Sequence, residues 1–523
     1  MNERADETGT ARDETGTARG SAAAQMRALM AAMAAALFVA PAYATFDSGS
    51  TGADGALNVT VNTEIVLPPS GVLNYTSINI PAGITVTFRK NVTNTPVYLL
   101  ASGNVTIAGT ISIRGAHGRA TGTHGDGALG DDGIPGVGGP GGHDGGRGGR
   151  QDAASTPEII RAGPGLGPGG GLGGKEGGNG CSSSGHYPGE GIGGAYAGAA
   201  YQIHAKYHCT AATLTKFSRP YGSALLQPLL GGSGGGGGKG GVTYPGSGGG
   251  GGGGAILIAS SATLQMTGTI DARGGDAGGN AGTGVGGSGA GGSGGAIRLV
   301  ATSIAGNGNL LAEGGCWGGE RQYCGSDGNY NQYGGSAGRI RLEADAITFS
   351  GTSSPVYAAD RPGPVFIAQA PSLRISAIAG QAVPEHPTGH ADVSLPASTT
   401  GPVDVVFATT NVPVGNTIQL RIAPAYGAVI EALSPAIGGT AAAGTAQVSV
   451  TLPAGPSTLQ ASTSYTVVVA GALDLSQFAH NEAVEKVQVT VASTGATRAR
   501  VITASGKSYD VPYAALRAAG FQG

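Results

Sequence analysis

An aliphatic pattern that recurs along the chain constrains its fold more than any other feature of the sequence. Four segments superimpose residue by residue, and they begin at Pro96, Ala255, Ala296 and Arg339. A weaker fifth copy begins at Pro364. Apolar and polar residues alternate within each copy, and a period of two is typical of β-strands because successive side chains point to opposite faces. The repeat therefore predicts strands that carry one buried face each.

Equivalent positions of the copies carry aliphatic side chains, which predicts that they stack. One such position holds Val97, Ile256, Ile297, Ile340 and Val365. A turn of four or five residues and a second strand follow in each copy, and a recurrent glycine then marks a bend: Gly109, Gly268, Gly308 and Gly351. Repeats of about 20 residues with two or three short strands form solenoid coils. Since one coil cannot bury its own apolar face, we expect coils stacked with strands about 4.8 Å apart.

The segment before the first copy adds a strand, a tight turn and a strand with the sequence INIPAGITVTF, at residues 78–88. Together with the copies, this pattern resembles the right-handed parallel β-helix of the pectin-lyase-like group, over roughly 46–114 and the later copies. The resemblance implies an all-β fold with a parallel β-helix at residues 45–370. That fold carries lyases, hydrolases, adhesins and inert spacers, so it implies no single activity. A β-sandwich of repeated hairpins is the alternative.

Glycine is concentrated in insertions between the copies. It makes up 102 of 523 residues, against a usual share of about 7%. The insertions span 115–254, 275–295 and 315–338, and each starts just after the same predicted strand, so stacked coils would release them at one corner as a single lobe. Glycine falls at every third position from Gly127 to Gly148, which is the period of a polyproline-II helix. Helices of that kind could pack side by side, and a mobile loop is the alternative.

The N-terminal residues predict export. Residues 26–44 combine Arg27, an apolar run that ends at Val39 and an Ala42-Tyr43-Ala44 cleavage motif, as a signal peptide does. The apolar run is too short for a stable membrane anchor. Residues 1–25 contain the direct repeat DETGTAR, and we expect them to be a non-native or disordered segment upstream of a true start at Met26. The expected location is outside the cell or at its surface, with no membrane span after cleavage.

Four cysteines agree with an oxidising compartment, where an even number indicates disulfides. They are Cys181, Cys209, Cys316 and Cys324. Three connectivities are open, and we favour pairing the first two and the last two because each pair would close its own glycine-rich loop. A zinc site with His204, His208 and Cys209 is the alternative, but these residues lack a compact ligand pattern. We expect no metal and no cofactor.

The C-terminal part differs in composition from the rest. Between residues 371 and 495 the glycine runs stop, and short alternating segments separated by Pro, Gly and Asn replace them. This pattern predicts an immunoglobulin-like β-sandwich that lacks the disulfide and the tryptophan of true immunoglobulin domains. The remaining residues, 496–523, predict a tail with one strand and a short helix at 513–519.

Outward-pointing charges supply the candidate site residues. Asp271 is a strand carboxylate beside Arg273, and we expect it to form an ion pair with Arg273 or with Arg114. Arg298 and Arg341 fall on adjacent strands, where like charges repel unless Glu343 or an anion lies between them. An anionic glycan is one candidate ligand for Asp271, Arg273, Arg298, Arg341 and Glu343, but we expect simple solvation of these surface charges instead.

The classes of function can now be compared. A lyase of the resembled group would need acidic calcium ligands and a basic residue, and a hydrolase would need two or three carboxylates around one bond; neither set is visible. A formal net charge of −3 does not indicate a nucleic-acid partner. We expect an exported non-enzymatic protein, adhesive or binding a glycan or surface through the glycine-rich lobe on a β-helix stalk. A β-helix polysaccharide lyase or glycoside hydrolase, or a structural coat or matrix protein, are the alternatives, and the oligomeric state is open.

Overall fold

The computed structural model describes residues 46–92, 94–119, 133–174, 189–200, 218–242, 244–279, 287–316, 334–367, 369–384, 392–424, 430–455, 457–469, 473–493 and 497–523. Strands supply nearly all of the regular structure in these residues. Three short helices accompany them there, namely α1 (Pro157–Ile160), a 3-10 helix (Ser476–Phe478) and α2 (Tyr513–Ala518).

Parallel strands form two sheets in the first two thirds of the described chain. The first parallel sheet contains β1 (Ala56–Asn58), β3 (Val72–Tyr75), β4 (Ser77–Ile80), β6 (Val97–Ala101), β7 (Val105–Ile107), β9 (Ala255–Met266), β11 (Ala296–Gly306), β13 (Arg339–Phe349) and β15 (Ala358–Asp360). The second parallel sheet contains β2 (Thr63–Val66), β5 (Thr85–Arg89), β8 (Thr110–Ser112), β10 (Thr269–Asp271), β12 (Asn309–Leu311) and β14 (Thr352–Ser354). The parallel pairing excludes a sandwich of repeated hairpins.

The chain alternates between the two parallel sheets, and the aliphatic repeat is what holds them together. Ile297 lies between Ile256 and Ile340 in register, as the sequence predicts. Each of the three is at most 3% exposed, and they belong to one apolar cluster to which both parallel sheets contribute side chains. The recurrent glycines stand at the bends: Gly109, Gly268, Gly308 and Gly351 fall between the strands of one sheet and those of the other.

Two details of the repeat differ from the prediction. The expected turn inside each later copy is absent, because β9, β11 and β13 run on as strands of 11 or 12 residues, with a local register shift between Ala301 and Ser303. The fifth copy does not start at Pro364. The strand beside β13 is β15, in which Ala358 pairs with Arg341. No glycine insertion separates β14 from β15, so the chain returns to the first parallel sheet earlier than the alignment implied.

The second apolar cluster belongs to two antiparallel sheets. One consists of β16 (Ser372–Ile378), β17 (Gln381–Ala382), β18 (Val403–Thr410), β21 (Gly438–Thr440) and β22 (Ala443–Val450). The other consists of β19 (Gln419–Pro424), β20 (Ile430–Leu433), β23 (Ser457–Val468), β24 (Val484–Ala492), β25 (Thr497–Thr503) and β26 (Ser508–Pro512). Their buried side chains form a single core. The residues after 495 are part of this sheet, since Val501 of β25 pairs with Val487, so they do not form a separate tail.

Candidate binding surface on the glycine-rich lobe

The glycine insertions leave the parallel sheets at one corner. Gly115 donates a hydrogen bond to the carbonyl of Arg273, and Gly274 donates one to Glu313, so successive insertions start side by side, each at 2.9 Å. Their returning ends are also adjacent, because Ala296 donates to Gly254 at 3.0 Å. In the described residues the insertions therefore form one body, which we call the lobe.

The lobe is held together by hydrogen bonds between backbone segments that repeat every three residues. Two segments, 231–241 and 246–254, lie at its centre. In the second of these, Gly249, Gly250 and Gly251 donate to the carbonyls of Gly146, Ala290 and Ala116, and Gly252, Gly253 and Gly254 donate to those of His143, Ser293 and Ile113. Each neighbour thus receives every third N–H, as the threefold symmetry of a polyproline-II-like segment requires. Of the two interpretations of the glycine pattern, packed segments are what the described residues show.

Glycine is required in these central segments because backbone packs directly on backbone. A Cβ atom built on Gly250 would collide with the carbonyl of Gly275, and one on Gly252 would collide with that of Gly232. Segment 246–254 exchanges hydrogen bonds with six described segments, 113–119, 133–139, 142–150, 231–241, 272–279 and 287–295. The N–H of Ser233 donates to the Ser293 hydroxyl, and every other N–H group of these two segments donates to a backbone carbonyl, so the bundle avoids the cost of unpaired backbone.

Side chains appear on the outer segments of the lobe, again every third residue. Along one side, segments 113–119, 133–139, 142–150 and 160–167 lie next to one another, joined for instance by bonds from Arg119 to Ile134 and from Gly163 to Arg147, both 2.8 Å. Their outward positions carry Arg119, Val137, Arg147, Arg150 and Arg161. We call this surface, defined by those five residues, the lobe face. Arg119, Arg147, Arg150 and Val137 are exposed, and Arg161 is half-buried.

Three acidic groups of the described lobe have partners of their own. Asp144 accepts a hydrogen bond from the backbone of Gly138 at 2.8 Å and lies 3.4 Å from the Lys90 ammonium. Asp276 lies 2.9 Å from His117 and 3.5 Å from Arg114. Asp152, at the end of the face, accepts a hydrogen bond from the backbone of Thr156 at 2.6 Å.

Two ionisable groups lie within the lobe, where His143 is half-buried and Glu190 is buried. Burial lowers the pKa of His143 to about 4, and the nearby Lys90 ammonium acts in the same direction. Burial raises the pKa of Glu190, which is 5% exposed, to about 8. Both groups are kept neutral near pH 7. No local sequence pattern marks either group, because their burial depends on segments that are distant along the chain.

The predicted ion pair at the corner is present. Arg273 holds Asp271 through two hydrogen bonds, Nε to Oδ1 at 2.9 Å and Nη2 to Oδ2 at 2.7 Å. Burial raises the pKa of Asp271, but the bonds from Arg273 outweigh burial and hold the pKa below its ordinary value. This pair stands on the second parallel sheet where the lobe begins, and it does not lie on the lobe face.

The other three candidate residues form a buried network. Arg298 and Arg341 are in register, as predicted, and Glu343 lies between them, accepting bonds from Nε of each at 3.0 and 2.6 Å. The expected solvation of these charges is wrong, since Arg298 is 1% exposed and Glu343 is 2% exposed. Arg298 also donates to the carbonyl of Pro364 at 3.0 Å. The chain after β15 folds over these side chains and covers them, which the sequence pattern did not reveal.

Burial raises the pKa of Glu343, but the two guanidinium groups outweigh it and hold the pKa below its ordinary value. The carboxylate therefore occupies the place that an anionic ligand would need, and it neutralises the repulsion between the arginines. This arrangement favours a structural role for the three side chains.

The cysteines are described only in part. Cys316 is disulfide-bonded and 9% exposed. Cys181, Cys209 and Cys324 lie outside the described residues, as do His204 and His208, so the pairing and the zinc alternative stay predictions. Within the described ranges, no three His, Cys, Asp or Glu side chains are grouped so that they could hold a metal ion.

The chain was compared with known protein families, curated proteins and solved structures. Protein-family models, curated proteins and solved structures give no match to this chain. In the residues that the structure describes, no helix is both long and apolar enough to cross a membrane.

Proposed function

We propose that this is an exported, non-enzymatic binding protein whose lobe presents a rigid surface to an extracellular glycan or other surface. In this proposal the parallel sheets are coils of a right-handed β-helix that serves as a stalk, and the antiparallel sheets are an immunoglobulin-like sandwich that serves as a spacer or attachment module. Export depends on the signal peptide predicted at residues 26–44.

The observation that carries the proposal is the closed hydrogen bonding of the lobe. Two central segments, 231–241 and 246–254, satisfy nearly all their N–H groups on neighbouring backbone segments, and a Cβ atom added at glycines such as Gly250 and Gly252 would collide with neighbouring carbonyls. The outer side chains are therefore fixed in position by a backbone that cannot easily rearrange. A preorganised surface loses less conformational entropy when it binds, which favours a recognition role.

The state of Asp271 argues against its acting as the general acid of a glycosidase. A general acid on a glycosidase needs a raised pKa so that it holds a proton at working pH. Arg273 instead lowers the pKa of Asp271 and occupies both of its oxygens. This ion pair supports the non-enzymatic proposal over a lyase or glycoside hydrolase.

Binding of the secreted protein to neutral polysaccharides, acidic polysaccharides and mineral surfaces tests the proposal. We expect retention on at least one of these materials, and we expect it to be lost when residues 116–253 are deleted, with circular dichroism and protease resistance reporting on the parallel sheets that remain. Retention unchanged by the deletion would contradict a binding role for the lobe. Retention by no material would favour a purely structural protein.

An assay for reducing ends and unsaturated products on the same polysaccharides tests the enzymatic alternative. We expect no turnover from the native protein. Turnover that disappears in Asp271→Ala but persists in Asp404→Ala, a matched exposed carboxylate on β18, would overturn the proposal.

A further inference from the structure

The two parallel sheets have one end at which no described strand covers their edges. The first parallel sheet ends at β1 and the second ends at β2, and neither strand has a described strand on its outer side. We call these two outer edges the open end. We propose that the open end binds the open end of a second copy of this chain, so that the protein is a two-fold symmetric dimer. This inference goes beyond the proposed function and shares with it only the predicted removal of the signal peptide.

The open end presents backbone groups that can pair with another strand. The carbonyl of Gly55 and the N–H of Val59 both form hydrogen bonds toward β4, which lies on the inner side of β1. Because successive residues of a strand direct their N–H and C=O groups to opposite sides, those of Ala56 and Asn58 point outward from the open end. The N–H of Leu67 bonds toward β5 in the same way, so the alternation leaves a second row of outward groups on β2.

The opposite end of the parallel sheets carries residues that protect an edge, and the open end does not. Charged residues and prolines on an edge strand discourage pairing with another chain. At the opposite end, Pro355 directly follows β14, and β15 ends in Asp360, which is followed by Arg361 and Pro362. At the open end, residues 55–63 contain no charged residue and no proline. An uncharged edge of this kind favours pairing with a further strand.

Apolar side chains at the open end are more exposed than those behind them. Leu57 is half-buried, whereas Ile78, its register neighbour on β4, is 1% exposed. Ile65 of β2 is half-buried too. Val61 and Val66 are 66% and 61% exposed. A second copy would bury these apolar side chains while it pairs the outward backbone groups, and both changes favour association.

The charge of the open end does not oppose the contact between two copies. Glu64 carries the only charge of residues 55–67. It accepts hydrogen bonds from Nε and Nη2 of Arg89 on β5, at 3.0 and 2.6 Å, so each copy compensates its own carboxylate. Two open ends that meet also cover each other, so the assembly closes at two copies and does not extend into a filament. Such a dimer presents two lobes, which raises its avidity for a repetitive surface.

The path of the preceding residues favours a second copy over a segment of the same chain as the occupant. The hydroxyl of Ser48 donates to the carbonyl of Ala101 on β6 at 2.8 Å, and its N–H donates to the hydroxyl of Ser261 on β9 at 2.9 Å. The described chain therefore starts beside the middle of the first parallel sheet and not at β1. Cleavage after Ala44 leaves Thr45 as the only preceding residue, and a single residue cannot reach back to the open end.

Sedimentation velocity of the full secreted protein over a wide range of concentration tests the inference, after its N-terminal residue has been determined. We compare the native chain with Ala56→Lys and with the control Ala358→Lys, since both alanines are exposed residues of edge strands at opposite ends of the sheets. We expect a monomer–dimer equilibrium whose Kd rises about tenfold in Ala56→Lys, because a two-fold interface contains each added charge twice. Asn58→Lys, at the other exposed outward position of β1, should have the same effect. Ala358→Lys should dimerise like the native chain.

Hydrogen exchange of the β1 amides provides a second measurement, and we expect it to slow as the concentration of the native protein rises. A monomer at every concentration would overturn the inference, and so would assemblies that grow beyond two copies or a dimer that only Ala358→Lys disrupts. Slow exchange of β1 in a monomer that retains residues before Thr45 would assign the open end to the chain's own N-terminal segment and would also overturn it.

The outcomes separate this inference from the proposed function. A dimer that is retained by no polysaccharide or mineral surface would refute the binding role and leave the dimer standing. A monomer that is retained would do the reverse. Thermal unfolding of each variant confirms that the fold is retained.

Discussion

The parallel sheets and the lobe have opposite interiors. The sheets bury a continuous column of side chains such as Ile256, Ile297 and Ile340, and their backbone bonds run between strands. The lobe buries almost no side chains at its centre, and each central segment bonds to neighbours in several directions. The two regions are continuous, because each insertion of the lobe leaves a strand of the second parallel sheet and returns to a strand of the first parallel sheet.

The difference shows two ways to bury backbone without leaving it unpaired. A sheet pairs each strand with two neighbours and must cover its faces with apolar side chains. A bundle of polyproline-II-like segments surrounds each central segment with neighbours, so its backbone needs no such covering. The parallel sheets should therefore lose most stability when buried atoms are removed. The lobe should lose most stability when atoms are added at its centre.

The largest expected effect is at the centre of the lobe. Gly250→Val places a side chain where the carbonyl of Gly275 already lies, and we expect a loss of more than about 4 kcal/mol or a lobe that does not form. Urea unfolding and protease sensitivity of the lobe measure the effect. Gly401→Val, where no atom lies within 4 Å of the added Cβ, is the control. A mild effect at Gly250 would break the comparison.

The reverse change tests the sheets. Ile297→Ala removes buried volume from the column, where Ile297 is 0% exposed, and we expect a loss of about 3 kcal/mol in the free energy of unfolding. Urea unfolding again provides the measurement. Val356→Ala, at a position that is 85% exposed, should change stability by less than about 0.5 kcal/mol. Equal losses at the two positions would mean that the column is not the core.

The stability of the lobe should depend on pH through the buried carboxyl of Glu190. The pKa of Glu190 is raised to about 8, so the folded lobe keeps this carboxyl protonated while the unfolded chain ionises above its ordinary pKa of 4.5. Stability linked to Glu190 is therefore present at low pH and is lost as pH rises from 4.5 to 8. Glu190→Gln should be more stable than the native chain by about 2 kcal/mol at pH 8 and equal to it at pH 4.

Hydrogen exchange can assign this effect to the lobe. Amides of segments 189–197 and 231–241 should be protected longer in Glu190→Gln at pH 8, while those of β11 should change little. Glu485→Gln, at an exposed position on β24, is the matched control. A pH-independent difference between Glu190→Gln and the native chain would show that Glu190 does not titrate as its burial implies.

The smallest expected effect concerns His143, whose contribution to stability is lost as pH falls rather than as it rises. The pKa of His143 is lowered from 6.5 to about 4, so the neutral ring is favoured in the folded lobe. Stability linked to His143 is complete above pH 6.5 and is lost as pH falls toward 4, by about 1 kcal/mol once its partial exposure is allowed for. His143→Asn should flatten this part of the stability profile. The same substitution at His480, which is exposed in the antiparallel region, should leave the profile unchanged.

Local patterns predicted much of the parallel sheets. The alternation around Ile297 fixed which residues face inward, and the recurrent glycines such as Gly268 marked the bends, because both depend on neighbours in sequence. The fifth copy was placed wrongly at Pro364, since the shortened return to Ala358 breaks the spacing on which the alignment relied. The position of Glu343 between two arginines was anticipated, but the covering of this network by residues after β15 was not.

The candidate surface was less accessible to sequence reasoning. The triplet spacing of glycine predicted packed segments as one of two possibilities, and Arg147 and Arg150 obey the same spacing. Which segments are neighbours depends on how the three insertions interleave. That order is set by long-range hydrogen bonds, and no local signal encodes it.

Sequence alone determined the inward column of the strands, the single corner from which the insertions leave, and the spacing that permits close packing of glycine segments. These features follow from the preferences of each residue and from periods of two and three. Tertiary structure alone decided that the lobe is a packed bundle, that Arg298 is buried, and that four arginines share one face. Each of these depends on contacts between residues tens to hundreds of positions apart, where the free energy gained by packing selects one arrangement among many that the local pattern allows.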